Sequence, residues 1–121
     1  MLVEVEVRNQ ILAKSELHQS QVAFGVIPQG TSLPHIAIAK ISAPRRYTHE
    51  GRDAGNESRI QANIYASGYQ QAKQLAEKLY ALDEYQSNTI SNIRTENEID
   101  GFDDGVNRFS VGLDFIVQHY E

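Results

Sequence analysis

The hydrophobic period of this chain changes at Ser67, and that change limits the folds open to it. From Arg59 to Ala66 the residues alternate: Ile60, Ala62, Ile64 and Ala66 fall on one side, Arg59, Gln61, Asn63 and Tyr65 on the other. A period of two with one polar side is a half-buried strand. Immediately afterwards Ala72, Leu75, Ala76, Leu79, Tyr80 and Leu82 repeat at helical spacing, which predicts a helix over 68–82. Ser67 followed by Gln70 reads as a capping box at its start. Lys73 and Glu77 stand one turn apart on the polar side. A strand that runs straight into an amphipathic helix can cover both apolar surfaces by laying the helix back on the sheet.

The flanks add strands. Arg108 to Tyr120 places Phe109, Val111, Leu113, Phe115 and Val117 on one face and Ser110, Gly112, Asp114 and Ile116 on the other. Thr89 to Glu98 pairs with it as a hairpin. The Asp- and Gly-rich residues 99–105 read as the turn between them. Leu33 to Ala43, bounded by Pro34 and Pro44, is a further strand, because proline suits strand ends. Residues 21–27 read as a short strand that stops at Pro28-Gln29-Gly30. Residues 2–14 fit two patterns. Val3, Val5 and Val7 alternate as in a strand, while Val3, Val7 and Ile11 are spaced by four as in a helix, with Glu4 and Arg8 as an i,i+4 pair. Helix is preferred because the pattern runs on to Ala13 and Lys14. The expectation is one α+β domain over 1–121. Its mainly antiparallel sheet has about four to five strands, packed against one main helix, with a second helix at the N-terminus.

Chemistry is harder to find. The chain has no cysteine, which excludes disulfides, thiolate metal sites and cysteine nucleophiles. Gly51-Arg52-Asp53-Ala54-Gly55 lacks phosphate-loop spacing, and no serine sits in a Gly-x-Ser-x-Gly elbow. His18, His35, His49 and His119 are scattered. A calcium loop starting at Asp100 fails, because its third and twelfth positions hold Phe102 and Val111. No catalytic residue, cofactor or metal is expected. No segment has the roughly 20 apolar residues of a membrane span, and the net charge of −5 argues against general nucleic-acid binding.

Two surface clusters remain. Residues 45–57 form a long polar stretch, read as an exposed loop or hairpin tip, that carries Arg45, Arg46, Tyr47 and Arg52. Arginines there suit an acidic partner surface or a brief contact with DNA, and tyrosine suits an interface. The plain alternative is a solvated loop. The other cluster is Asp100, Asp103 and Asp104 in the expected turn, where the plain reading is again a solvated hairpin end. Both are taken as candidate partner or subunit contacts.

The layout as a whole resembles a known family. The stretch Val26-Ile27-Pro28-Gln29-Gly30-Thr31-Ser32-Leu33-Pro34-His35-Ile36 precedes Ser58-Arg59-Ile60-Gln61-Ala62-Asn63-Ile64-Tyr65-Ala66, and a helix opening Tyr69-Gln70-Gln71-Ala72 follows. This resembles the tail completion, or tail terminator, proteins of long-tailed bacteriophages and prophages. His35 stands where that family more often has tyrosine. The resemblance implies a homo-oligomeric ring, expected to be a hexamer, on the head-proximal end of a tail tube. Its partners would be the tube protein and a head-closure or connector protein, with DNA passing through the lumen unbound. Such a protein belongs to the tail or neck of the virion and is assembled in the host cytoplasm. A neighbouring neck component and a small α+β ligand-binding module are the rival readings.

Overall fold

A computed structural model describes residues 3–25, 33–42, 56–103 and 108–120. Helix α1 (Val3–Ser15) is followed by a single 3-10 turn (Gln19–Gln21) and strand β1 (Val22–Phe24). Strands β2 (His35–Ser42) and β3 (Asn56–Ala66) lead to helix α2 (Tyr69–Leu79), which tightens into a 3-10 turn (Tyr80–Leu82). Strands β4 (Ile90–Asp103) and β5 (Arg108–His119) close the order. The described strands make one five-stranded sheet in the order β1-β2-β3-β5-β4. β1 runs parallel to β2 and every other pair is antiparallel. The α+β expectation holds, and residues 3–15 are helical.

Both helices cover the same face. Ile60, Ala62, Ile64 and Ala66 of β3 and Val111, Leu113, Phe115 and Val117 of β5 are buried there. Val3, Val7 and Ile11 of α1 and Ala72, Leu75, Ala76 and Leu79 of α2 pack against them. Residues three and four apart share a helix face, and alternate residues share a sheet face, so each element contributes one apolar side to a single core. α1 is held by polar contacts at its margins as well. Glu4 pairs with Lys40 of β2 at 3.3 Å, and the Tyr85 hydroxyl donates to Glu6 at 2.8 Å.

Several local expectations change in the folded chain. Glu4 and Arg8 do not pair with each other. Arg8 instead donates to the carbonyls of Val22, at 2.8 and 3.1 Å, and of Gln19, at 3.0 Å. An exposed ion pair on a helix is worth only a few tenths of a kcal/mol, and the guanidinium fork does better on carbonyls at the sheet edge. The capping box is absent too. Gly68 is the N-cap residue and offers no side chain, which leaves Ser67 one position too early and Gln70 one too close. Ser67 contacts Gln71 instead, at 3.5 Å.

β4 runs further than expected. Ile99 to Asp103 is strand, not turn, because β5 supplies a partner at each step: Ile99 faces Gly112, Gly101 faces Ser110 and Phe102 faces Phe109. Pairing overrides the local turn preference of Asp and Gly. The N-terminal part of β3 likewise takes Asn56 and Glu57 out of the expected loop. After β1 the chain bends at Gly25, whose φ of +73° is a conformation that suits glycine.

Leu79 is fully buried between α2 and the sheet. Leu79→Ala should lower stability by about 2–5 kcal/mol, and Leu75→Ala should fall in the same range. Chemical denaturation measures both. An unchanged midpoint for Leu79→Ala would remove the helix-on-sheet core from this account.

Candidate interaction surface

The sheet face opposite the helices is built from short and polar side chains. Asn63 and Gln61 of β3 reach over Gly112 of β5, where an added Cβ would lie 2.9 Å from Asn63 Oδ1 and 3.7 Å from Gln61 Nε2. The glycine therefore lets two amides lie flat on the sheet. Arg59 stands 3.8 Å from Asp114. Towards the start of β2, Tyr65 lies between the His35 ring, at 5.4 Å, and the Arg108 guanidinium, at 4.2 Å. Ile116 is buried on this face.

A second cluster joins α2 to β4. Lys73 Nζ donates to Glu98 Oε2 at 2.6 Å and to Asp100 Oδ1 at 2.8 Å. The Tyr80 hydroxyl donates to the other oxygen of Glu98. Lys73 also sits 5.5 Å above the Tyr69 ring. Beside it Phe109 stacks edge-on with Tyr69 at 6.0 Å and tilted against Phe102 at 4.6 Å. Tyr69 and Phe102 are each half exposed. A lysine shared by two carboxylates thus adjoins a small aromatic patch open to solvent.

The electrostatics of this cluster are those of held charge. Its hydrogen bonds to Asp100 and then to Glu98 push the Lys73 ammonium well above its ordinary range. The bonds from Lys73 and Tyr80 hold the Glu98 carboxyl below its ordinary range. The bond to Glu98, aided by burial, pushes the Tyr80 phenol up to about 12. Lys73 and Glu98 are held in their charged forms and Tyr80 in its neutral form through the middle of the pH range, the opposite of what a general acid or base requires. The cluster therefore serves as a clamp between helix and strand.

Two cavities of about 440 Å³ lie among the described residues. One is bounded by Asp83, Glu84, Asn92, Ile93 and Arg94. The other lies between the start of α1 and β2, with Val5, Phe24 and Ile38 in its wall and the Glu4–Lys40 pair beside them. Ser58 and His119 share a hydrogen bond of 2.8 Å, with both residues buried. They border neither cavity. Among the described residues, no three His, Asp or Glu side chains gather where they could hold a metal ion. No described helix is long and apolar enough to cross a membrane.

Of the residues singled out in the sequence, Asp100 is placed in the Lys73 clamp. Asp103 ends β4 opposite Arg108. Arg45, Arg46, Tyr47, Arg52 and Asp104 lie outside the described residues. Sequence reasoning missed Lys73 and Tyr80 as partners of Glu98, and the patch of Tyr69, Phe102 and Phe109. The polar face of α2 showed Lys73 beside Glu77, and only the fold brings it to β4.

No family model matches the chain, and no curated protein matches it. A solved structure does share its fold: a chain of the virion of a native gene transfer agent (GTA) particle. The TM-score is 0.69 at 12% identity, over 97% of this chain and 93% of that one. At that identity the likeness is one of fold, and it runs through the domain end to end.

The raised Tyr80 phenol has a pH consequence. Its proton is held more tightly in the folded chain, so the contribution to stability is present below pH about 10 and lost as pH rises through about 12. Tyr80→Phe should remove this alkaline loss, together with the phenolate absorbance step near pH 12. If the step lost in the variant lies at about pH 10, where an ordinary phenol titrates, the bond to Glu98 is removed from the cluster.

Proposed function

We propose that this protein is a structural component of a phage-type virion, and more narrowly a tail terminator. In this reading its copies form a ring, of six subunits, on the head-proximal end of the tail tube. The ring stops tube growth and offers its other face to a head-closure or connector protein. The observation that carries the proposal is the fold shared with a chain of the gene transfer agent virion over nearly the full length of both. The resemblance of the Pro28-Gln29-Gly30 and Arg59–Ala66 stretches to tail completion proteins supports the narrower role.

The work of such a protein is binding. A ring requires a heterologous interface that closes by rotation, so two different patches of one subunit must complement each other. The aromatic patch beside the Lys73 clamp is one surface suited to such a contact. The arginines of residues 45–52 are complementary in sign to the carboxylates of β4 and to an acidic partner. A net charge of −5 favours DNA that slides past over DNA that sticks. No bond is made or broken, and no cofactor enters the reading. Particles of this kind are assembled in the bacterial cytoplasm and carry the protein in the tail or neck.

Electron microscopy of the purified protein, alone and mixed with tail tubes, should show rings seated on one end of the tubes. Rings on heads instead would favour a neck component, and a monomer under every condition would count against both. Replacing Arg45, Arg46 and Arg52 together with alanine should leave the melting curve unchanged and reduce ring formation or head–tail joining. Normal assembly by that variant would clear these arginines of any part in it.

A further inference from the structure

The two edges of the sheet are finished differently. β1 is three residues long, and its Val22 carbonyl is occupied by the Arg8 guanidinium. β4 is fourteen residues long and, among the described strands, pairs only with β5. Along an antiparallel strand one residue turns its N–H and C=O to the neighbouring strand and the next turns them away. In β4, bonds to groups outside the ladder identify the outward positions. The Glu84 N–H donates to the Ile93 carbonyl at 2.7 Å, and the Thr95 N–H donates to Asp83 Oδ1 at 2.7 Å. Ile93 and Thr95 face Val117 and Phe115 of β5.

Past the bulge at Glu96 the same alternation along β5 continues through Leu113, Val111 and Phe109. These face Glu98, Asp100 and Phe102, which are therefore the next outward residues. The Glu98 N–H is already taken by Asn97 Oδ1 at 3.0 Å, as fits an amide outside the ladder. The segment after α2 thus covers the edge at 93–95. No described residue covers the edge at 98–102, and residues 99–102 are all exposed.

Natural sheets guard open edges with lysine, proline, bulges or a covering loop. The first half of β4 has two bulges and the cover from Asp83 and Glu84. Asn97 to Asp103 keeps one register with β5 and contains neither lysine nor proline. The geometry points to this stretch as a docking edge, where an extended, basic segment of a partner protein adds a sixth strand beside Glu98–Phe102. The charge of the edge selects that occupant. Glu96, Glu98 and Asp100 are three carboxylates served by two cations, Arg94 and Lys73. Basic side chains on the helix side of the added strand supply the missing charge. On the other side Ile99, half exposed next to Gly101, takes a small apolar side chain. A second copy of β4 is a poor occupant, because pairing about a two-fold axis at Ile99 sets Glu98 of each copy against Asp100 of the other, carboxylate against carboxylate. The inference rests on the edge alone and holds whichever virion position the protein occupies.

The probe is a capped peptide in which lysine alternates with valine, added to the intact protein and followed by amide hydrogen exchange and NMR. Binding should slow exchange at Asp100 and Phe102 and leave Thr95 unchanged. Substituting glutamate for lysine in the peptide should weaken it about tenfold or more. N-methylating the peptide on one set of alternate residues should abolish binding, and on the other set should not, as edge pairing requires. Asp100→Pro, which removes an outward donor and one of the two Lys73 partners, should weaken binding about tenfold or more and lower the melting temperature modestly. Equal binding by the two methylated peptides overturns the proposal, as does saturation without protection at Asp100 and Phe102. So does protection that grows with protein concentration in the absence of peptide, which would mean that β4 edges pair with each other.

Discussion

Everything in this domain hangs on the pairing of β3 with β5. Eleven successive residue pairs, from Asn56 opposite His119 to Ala66 opposite Phe109, run without a slip. A slip of one residue in either strand would turn its entire apolar set to the wrong face. The unbroken register therefore decides which side of the sheet the helices must cover. It also sets Gly112 under Asn63 and brings Arg59 to Asp114 on the opposite side. β4 inherits its own register from β5, and so Lys73 finds Glu98 and Asp100 within reach. The clamp is a consequence of the core, since its lysine and carboxylates sit on elements already fixed by apolar packing.

What could be read in the sequence follows from how local each signal is. The alternation of Ile60, Ala62, Ile64 and Ala66, and that of Val111, Leu113, Phe115 and Val117, is a record of one-sided burial, and no distant residue is needed to see it. The stripe of α2 is equally local. The N-terminal residues were ambiguous because Val3, Val5 and Val7 satisfy both periods. Packing of Val3, Val7 and Ile11 on the core resolves them as a helix. The far end of β4 could not be read, because Asp100-Gly101 has a turn's composition and becomes strand only through partners on β5. Lys73 illustrates the same limit for a site: its partners lie 25 and 27 residues away, and sequence spacing shows only its helical neighbours. The candidate contacts at 45–52 were chosen on composition, and Asp100 is the one acidic candidate whose side-chain partner is described.

The distribution of polar groups suits a protein that works by contact. In the α2–β4 cluster Lys73 and Glu98 are held charged and the Tyr80 phenol is held neutral, which fixes an ion pair on the surface. The aromatic rings beside them are half exposed, and aromatic residues are enriched at interface cores. On the other face the amides of Gln61 and Asn63 approach closely over Gly112, beside the polar side chains of Arg59, Tyr65 and Asp114. A domain with one apolar face fully used and the other kept polar can meet neighbours on several sides without aggregating.

The strand order has a further consequence, for synthesis. β5 leaves the ribosome after the other four described strands, yet it lies between β3 and β4 in the sheet. Until it arrives, the central seam of the sheet does not exist, and β3 and β4 have nothing to bind on their shared sides. A chain interrupted before Arg108 lacks Val111, Leu113, Phe115 and Val117, and with them a large share of the core. Such a fragment lacks the core on which both helices pack. The topology thus delays the fold, since the sheet acquires its centre only after translation has passed β5.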